Sequence, residues 1–110
     1  MENNQKPNHI DNTNKNRLWE LAVDYLKDQI SKQTNISKDR IRNRDSLDRY
    51  GIDSVAIMSM TKAMESDLGK LSKTLFFEYN TVDELAKYLF DNKHTELAKL
   101  FVADSGETSV

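Results

Sequence analysis

The sequence predicts an all-α domain: a four-helix antiparallel bundle with a long first loop, a short third helix and room for a short fifth helix at the C-terminal end. Three observations predict it. Apolar residues recur at helical rather than strand spacing, Ser, Thr and Asp stand where such runs begin, and Gly stands where one of them ends. With 110 residues, 37% of them hydrophobic, the chain can enclose one modest core.

Residues 1–16 are crowded with Asn and Lys and hold the only proline, Pro7, which marks them as a disordered leader or an added tail. From Leu18 the apolar residues fall at Leu18, Leu21, Ala22, Tyr25, Leu26 and Ile30, the stripe of an amphipathic first helix. Trp19 stands one position off that stripe and should be half-buried at the bundle edge. Between Gln33 and Asp53 no period is sustained, and isolated Ile36, Ile41, Leu47, Tyr50 and Ile52 should pin a long loop onto the core. Connections of this length in a compact domain tend to be functional.

Gly51 permits a sharp turn, and both Asp53 and Ser54 are good N-caps for a second helix from about Ser54 to Leu68. On it Val55, Met58, Thr61 or Lys62, Met64 or Glu65, and Leu68 share helical spacing, with Ile57 and Met60 widening the apolar face. Of the three Met residues here, more should be core than contact surface. Gly69 closes the helix. Lys73 to Tyr79, with Phe76, Phe77 and Tyr79, reads as a third helix of one or two turns docked by its side chains. Thr81 and Glu84 form a capping box, so a fourth helix starts at Val82 and buries Val82, Leu85, Ala86, Leu89 and Phe90. Leu97, Leu100 and Phe101 continue the pattern into a fifth. The folded unit should span 17–102, with 103–110 a flexible tail or linker.

Composition excludes several kinds of chemistry. Sixteen Lys and Arg nearly balance eighteen Asp and Glu, so no overall field favours nucleic acid. Cysteine is absent, which removes disulfides, thiolate metal sites and a protein thiol nucleophile; thioester chemistry would have to borrow its sulfur. His9 and His94 are the only imidazoles, so no zinc site and no metal is expected. No apolar run approaches the roughly 18 residues of a membrane span, and the N-terminus lacks a secretory apolar stretch, giving a cytoplasmic address and no membrane partner. Ser54 is not framed as G-x-S-x-G, and Gly51, Gly69 and Gly106 are too scattered for a phosphate loop, so catalytic residues are expected to be none. The basic run Lys38, Arg40, Arg42, Arg44 and Arg49 is broken by Asp39, Asp45 and Asp48, as in a solvated loop with local ion pairs; a partner-facing electropositive loop is the alternative.

The tract from Leu47 to Leu89 resembles an acyl carrier protein domain. It has the long first loop, the G-x-D-S motif as Gly51-Ile52-Asp53-Ser54 opening the second helix, the short third helix and the capped fourth one, in order. The stretch Leu71-Ser72-Lys73-Thr74-Leu75-Phe76-Phe77-Glu78-Tyr79, leading into Thr81 and Glu84-Leu85-Ala86, is most similar to carriers of bacterial modular polyketide synthases with separate acyltransferases. The second helix departs from free-standing fatty-acid carriers, which are more acidic there; Ser59 and Lys62 occupy outward positions.

The resemblance implies a non-catalytic carrier with 4′-phosphopantetheine, derived from coenzyme A, on Ser54, holding acyl or polyketide groups as thioesters. It also implies that Asp53 helps the phosphopantetheinyl transferase recognise the site. Ketosynthase, acyltransferase and other synthase domains are the implied partners, and the isolated domain should be monomeric. Because the arm must enter a partner's tunnel, the surface around it, Tyr50, Ile52, Val55, Met58 and Lys62, should face the partner. A peptidyl or fatty-acid carrier, an unmodified helical protein-interaction module in which Ser54 is only a cap, and a small serine esterase are the alternatives.

Overall fold

A computed structural model describes the backbone of residues 2–105 and the side chains of residues 16–100. Within them the chain forms helices α1 (Glu2–Thr34), α2 (Ser54–Leu68), α3 (Leu75–Glu78), α4 (Val82–Asn92) and α5 (His94–Ser105), with two 3-10 turns at Lys38–Arg40 and Leu47–Tyr50. No strand occurs among the described residues; a single bridge pairs Ser46 with Thr81.

The apolar stripe read from Leu18 is the buried face of α1: Leu18, Ala22, Tyr25, Leu26 and Ile30 are all in the core. The helix backbone continues beyond that stripe to Glu2, where a leader without structure was expected. Helix propagation adds one hydrogen bond per residue once a packed segment has nucleated it, so the helical stretch can outrun its apolar face. α1 stops at Asn35, whose left-handed backbone (φ 64°) breaks the helix. There the Thr34 hydroxyl donates to the Ile30 carbonyl at 2.8 Å and accepts from the Ile36 amide at 3.1 Å.

Around α1 pack α2, α4 and α5. Their fully buried contributions are Met60, Met64 and Leu68 from α2, Val82, Leu85 and Leu89 from α4, and Leu97 from α5. Each such side chain stabilises the fold by about 1.5–3 kcal/mol relative to leaving it in water. α3 seals one side with Leu75 and Phe76 buried. Phe77, expected among its docking aromatics, instead stands 75% exposed. A helix of one turn can bury only one face, and Leu75 and Phe76 already occupy it.

The inward face of α2 also differs from the sequence reading. Ile57, Met60, Met64 and Leu68 run along it, whereas Val55 and Met58 are 73% and 68% exposed. Apolar residues on both sides of α2 leave its phase open to sequence, and packing against α1 and α5 decides it. Trp19 is half-buried, edge-on to Phe90 with ring centroids 6.0 Å apart, as its offset position predicts.

The caps follow the predicted chemistry. Thr81 Oγ1 accepts from the Glu84 amide at 3.1 Å, but the Glu84 carboxylate reaches one residue further back than a capping box requires, accepting from the Asn80 amide at 3.0 Å. Gly69, with φ 85°, ends α2, and the Glu65 carboxylate accepts from the Leu71 amide at 2.9 Å. α5 extends through Ser105, beyond the predicted boundary at 102. The Phe101 side chain and residues 106–110 lie outside what is described.

Candidate functional site

The loop from Gln33 to Asp53 is held at many points. Ile41, Leu47 and Ile52 are buried and Ile36 and Tyr50 half-buried, so the scattered apolar residues do anchor it. Ile52, expected on the partner-facing surface, is 6% exposed and belongs to the core; an isoleucine preceding a helix gains more from the core than from solvent. Tyr50 uses its hydroxyl internally, accepting from the Arg42 amide at 2.7 Å and donating to the Asp45 carboxylate at 3.1 Å.

Gly51 then takes a left-handed conformation with φ 74°, turning the chain between the 3-10 turn and α2. Asp53 follows as the N-cap of α2. Its Oδ1 accepts from the Ala56 amide at 2.9 Å, and its carbonyl accepts from the Ile57 amide, also at 2.9 Å. Both Asp53 and Ser54 are plausible caps by residue type, and the geometry chooses Asp53. Ser54 is consequently the first residue of α2, exposed, with no hydrogen-bond partner for its hydroxyl among the described residues. Val55, Met58 and Lys62 are exposed on the same helix.

This arrangement suits a phosphodiester on Ser54 Oγ. The hydroxyl is free and in solvent, and the amides of Ser54 and Val55 lie in the first turn, where no helical carbonyl precedes them. The positive end of the helix dipole favours an anion there by about 0.3–1 kcal/mol. Asp53, a like charge, works against it.

Little else around Ser54 suggests chemistry by the chain itself. A groove lined by Ser66, Leu68, Lys99 and Leu100 opens at the opposite end of α2. Among the described residues no three His, Cys, Asp or Glu side chains gather as metal ligands, and no helix is long and apolar enough to cross a membrane.

Residues 24–89 match the family described as "Phosphopantetheine attachment site". The matched segment takes in the loop, the Gly51–Ser54 turn, α2, α3 and most of α4. Among curated relatives, polyketide synthase PksL of Bacillus subtilis (strain 168) is 34% identical over 106 residues, 96% of this chain. Polyketide synthase PksM of the same organism is 34% identical over 83 residues, and polyketide synthase ThaG of Burkholderia thailandensis 34% identical over 82. The chain spans only about 2% of the length of the two Bacillus relatives. No solved structure matches it. A helical bundle that offers an unengaged serine at a helix start, matched to this family over residues 24–89, belongs to the phosphopantetheine attachment site family: it is an acyl carrier domain, and its prosthetic group is covalently attached 4′-phosphopantetheine.

Proposed function

We propose that Ser54 is the attachment residue and that the carrier serves a polyketide synthase, presenting acyl or growing polyketide groups to successive synthase domains. The observation that carries this is the division of labour at the start of α2. Asp53 caps the helix, so the Ser54 hydroxyl is left exposed and unbonded. Were Ser54 merely a cap, as in an unmodified interaction module, its oxygen would hold a first-turn amide. The similarity to three Bacillus polyketide synthases favours a polyketide over a peptidyl or fatty-acid carrier.

During modification the Ser54 Oγ–phosphorus bond forms as the pyrophosphate linkage of coenzyme A breaks, the hydroxyl proton passing to a base on the transferase. The arm then supplies a thiol that takes up acyl groups as thioesters, which this cysteine-free chain cannot do alone. The chain's own part is to hold Ser54 outward, keep Val55, Met58 and Lys62 accessible beside it, and leave catalysis to partners. Those partners are the phosphopantetheinyl transferase and then ketosynthase, acyltransferase and other synthase domains in the cytoplasm. The functional unit is 17–102, acting as a monomer.

Incubation with coenzyme A and a broad-specificity transferase, followed by intact-mass measurement, tests the assignment. The chain should gain one phosphopantetheine, and Ser54→Ala should gain none while keeping its helical circular dichroism. A gain in the Ala variant would move the site elsewhere.

A further inference from the structure

Part of the basic first loop has no role in the carrier reading. Lys38 is paired with Asp24 of α1 at 2.8 Å, Arg49 lies 3.7 Å from Asp45, and Arg40 faces its neighbour Asp39. Arg42 and Arg44 differ: both are exposed, and neither guanidinium has a carboxylate partner among the described residues. The backbone beneath them is tied down. The Arg42 amide is held by Tyr50, the Asp83 amide donates to the Asn43 carbonyl at 3.0 Å, and the Leu47 amide donates to the Asn80 carbonyl at 2.8 Å. Two unneutralised cations therefore stand on a ledge fixed to the start of α4 and to Tyr50.

We propose that Arg42 and Arg44 form a pre-organised cationic docking point for a carboxylate-bearing surface on the synthase domain that exchanges acyl groups with this carrier. The proposal rests on the carrier reading and specifies its partner. Tyr50 and Ser54 are four residues apart, so their Cα atoms are separated by at most about 14 Å. A partner engaging the arm at Ser54 covers about 800 Å² of the carrier, a patch on the order of 30 Å across, and the Tyr50 ledge falls within it. Holding the loop in advance removes an ordering cost that a mobile loop would bring to binding.

The guanidinium fork fits either carboxylate or phosphate. The surrounding charge distinguishes them. Asp39 and Asp48 are exposed close by in sequence and Asp45 lies beside Arg44, an alternation that repels a continuous polyphosphate. It matches a protein surface on which discrete carboxylates are interspersed with other groups.

The test uses the full chain with an acetylated arm on Ser54, offered to the ketosynthase domain of its own synthase. Acyl transfer is followed at about 0.02 M and about 0.5 M salt, where the screening length falls from more than 20 Å to under 5 Å. Arg42→Glu/Arg44→Glu should raise KM roughly tenfold at low salt, leave kcat unchanged and flatten the salt dependence. Arg42→Lys/Arg44→Lys should retain most of the wild-type behaviour, and Lys99→Gln, on α5, should match wild type. Equal KM and equal salt dependence in wild type and the Glu pair would overturn the proposal. If the Glu pair lost helicity, Arg42→Gln/Arg44→Gln would be judged by the same criterion. A raised KM for coenzyme A in the transferase reaction, with acyl transfer unchanged, would show a phosphate site and overturn the carboxylate assignment. Intact mass separates the two readings: failure of the unsubstituted chain to gain the arm overturns the carrier reading and this proposal with it, whereas normal gain with unaltered transfer overturns this proposal alone.

Discussion

The Tyr25 hydroxyl donates a 2.8 Å hydrogen bond to the Asp67 carboxylate, joining α1 to the last turn of α2 across 42 residues of sequence. Tyr25 is 9% exposed while Asp67 lies at the surface, so the bond is made where a buried ring meets solvent. It secures the end of α2 opposite Ser54. The carrier's modified end is thereby borne on a helix whose other end is fastened to the longest element of the fold.

Tyr25→Phe should lower stability by about 1 kcal/mol, read as a reduced urea midpoint with unchanged slope. Burial first, and the Asp67 carboxylate second, raise the Tyr25 pKa well above its ordinary value near 10. A raised folded pKa contributes stability that is fully present below pH 10 and is lost as pH climbs above it. Wild type should therefore weaken progressively at alkaline pH, and Tyr25→Phe should show a shallower decline over the same range.

Met58 and Met60 separate the two faces of α2. Met58→Asp should fold with stability within about 0.5 kcal/mol of wild type, because the side chain already stands in water. Met60→Ala should cost about 2–5 kcal/mol, since Met60 is fully buried. Urea titration of both measures the difference. Folded Met58→Asp should then be acylated more slowly than wild type at subsaturating concentration if partners touch this strip.

Leu97 extends the folding unit past the family match. That match ends at residue 89, yet Leu97 on α5 has 0% exposure and α5 packs on α1, α2 and α4. Leu97→Ala should cost about 3 kcal/mol. A chain ending at Asn92 should be destabilised by at least as much, measured by thermal unfolding.

Elements with a single apolar face were legible from sequence. The stripe Leu18, Ala22, Leu26 and Ile30 and the set Val82, Leu85, Ala86 and Leu89 have polar residues opposite them, so spacing alone orients them. α2 was not, because Val55, Ile57, Met58 and Met60 surround it and only its neighbours determine which go inward. Phe76 and Phe77 pose the same problem in one turn. Ser54 was legible as a site through its turn and motif, whereas its freedom from capping duty was not. Asp53 and Ser54 are both competent caps, and the choice depends on backbone angles that residue type does not specify. The tethering of Arg42 by Tyr50 is a contact across eight residues of irregular chain, which no periodicity reports.

Asp53 has two roles that substitution can separate. Its carboxylate caps α2 through the Ala56 amide, and its charge is the feature proposed to guide the transferase. Asn keeps an oxygen acceptor and discards the charge, so Asp53→Asn should unfold within a few tenths of a kcal/mol of wild type. If the charge matters to the transferase, its modification rate should nonetheless drop roughly tenfold, the scale of one lost charge-assisted contact. Ala removes both functions, and Asp53→Ala should lose about 1 kcal/mol of stability. It has a further consequence: with Asp53 gone, Ser54 is the next residue able to cap, and a hydroxyl bonded to a first-turn amide is no longer free to attack coenzyme A. Modification should therefore be slower in Asp53→Ala than in Asp53→Asn, by more than the loss of charge explains. Rates from intact-mass time courses, set beside urea midpoints, check the order wild type, Asn, Ala. Wild-type modification rates in Asp53→Asn would restrict Asp53 to capping, and equal rates in Asn and Ala would show that Ser54 does not take over the cap.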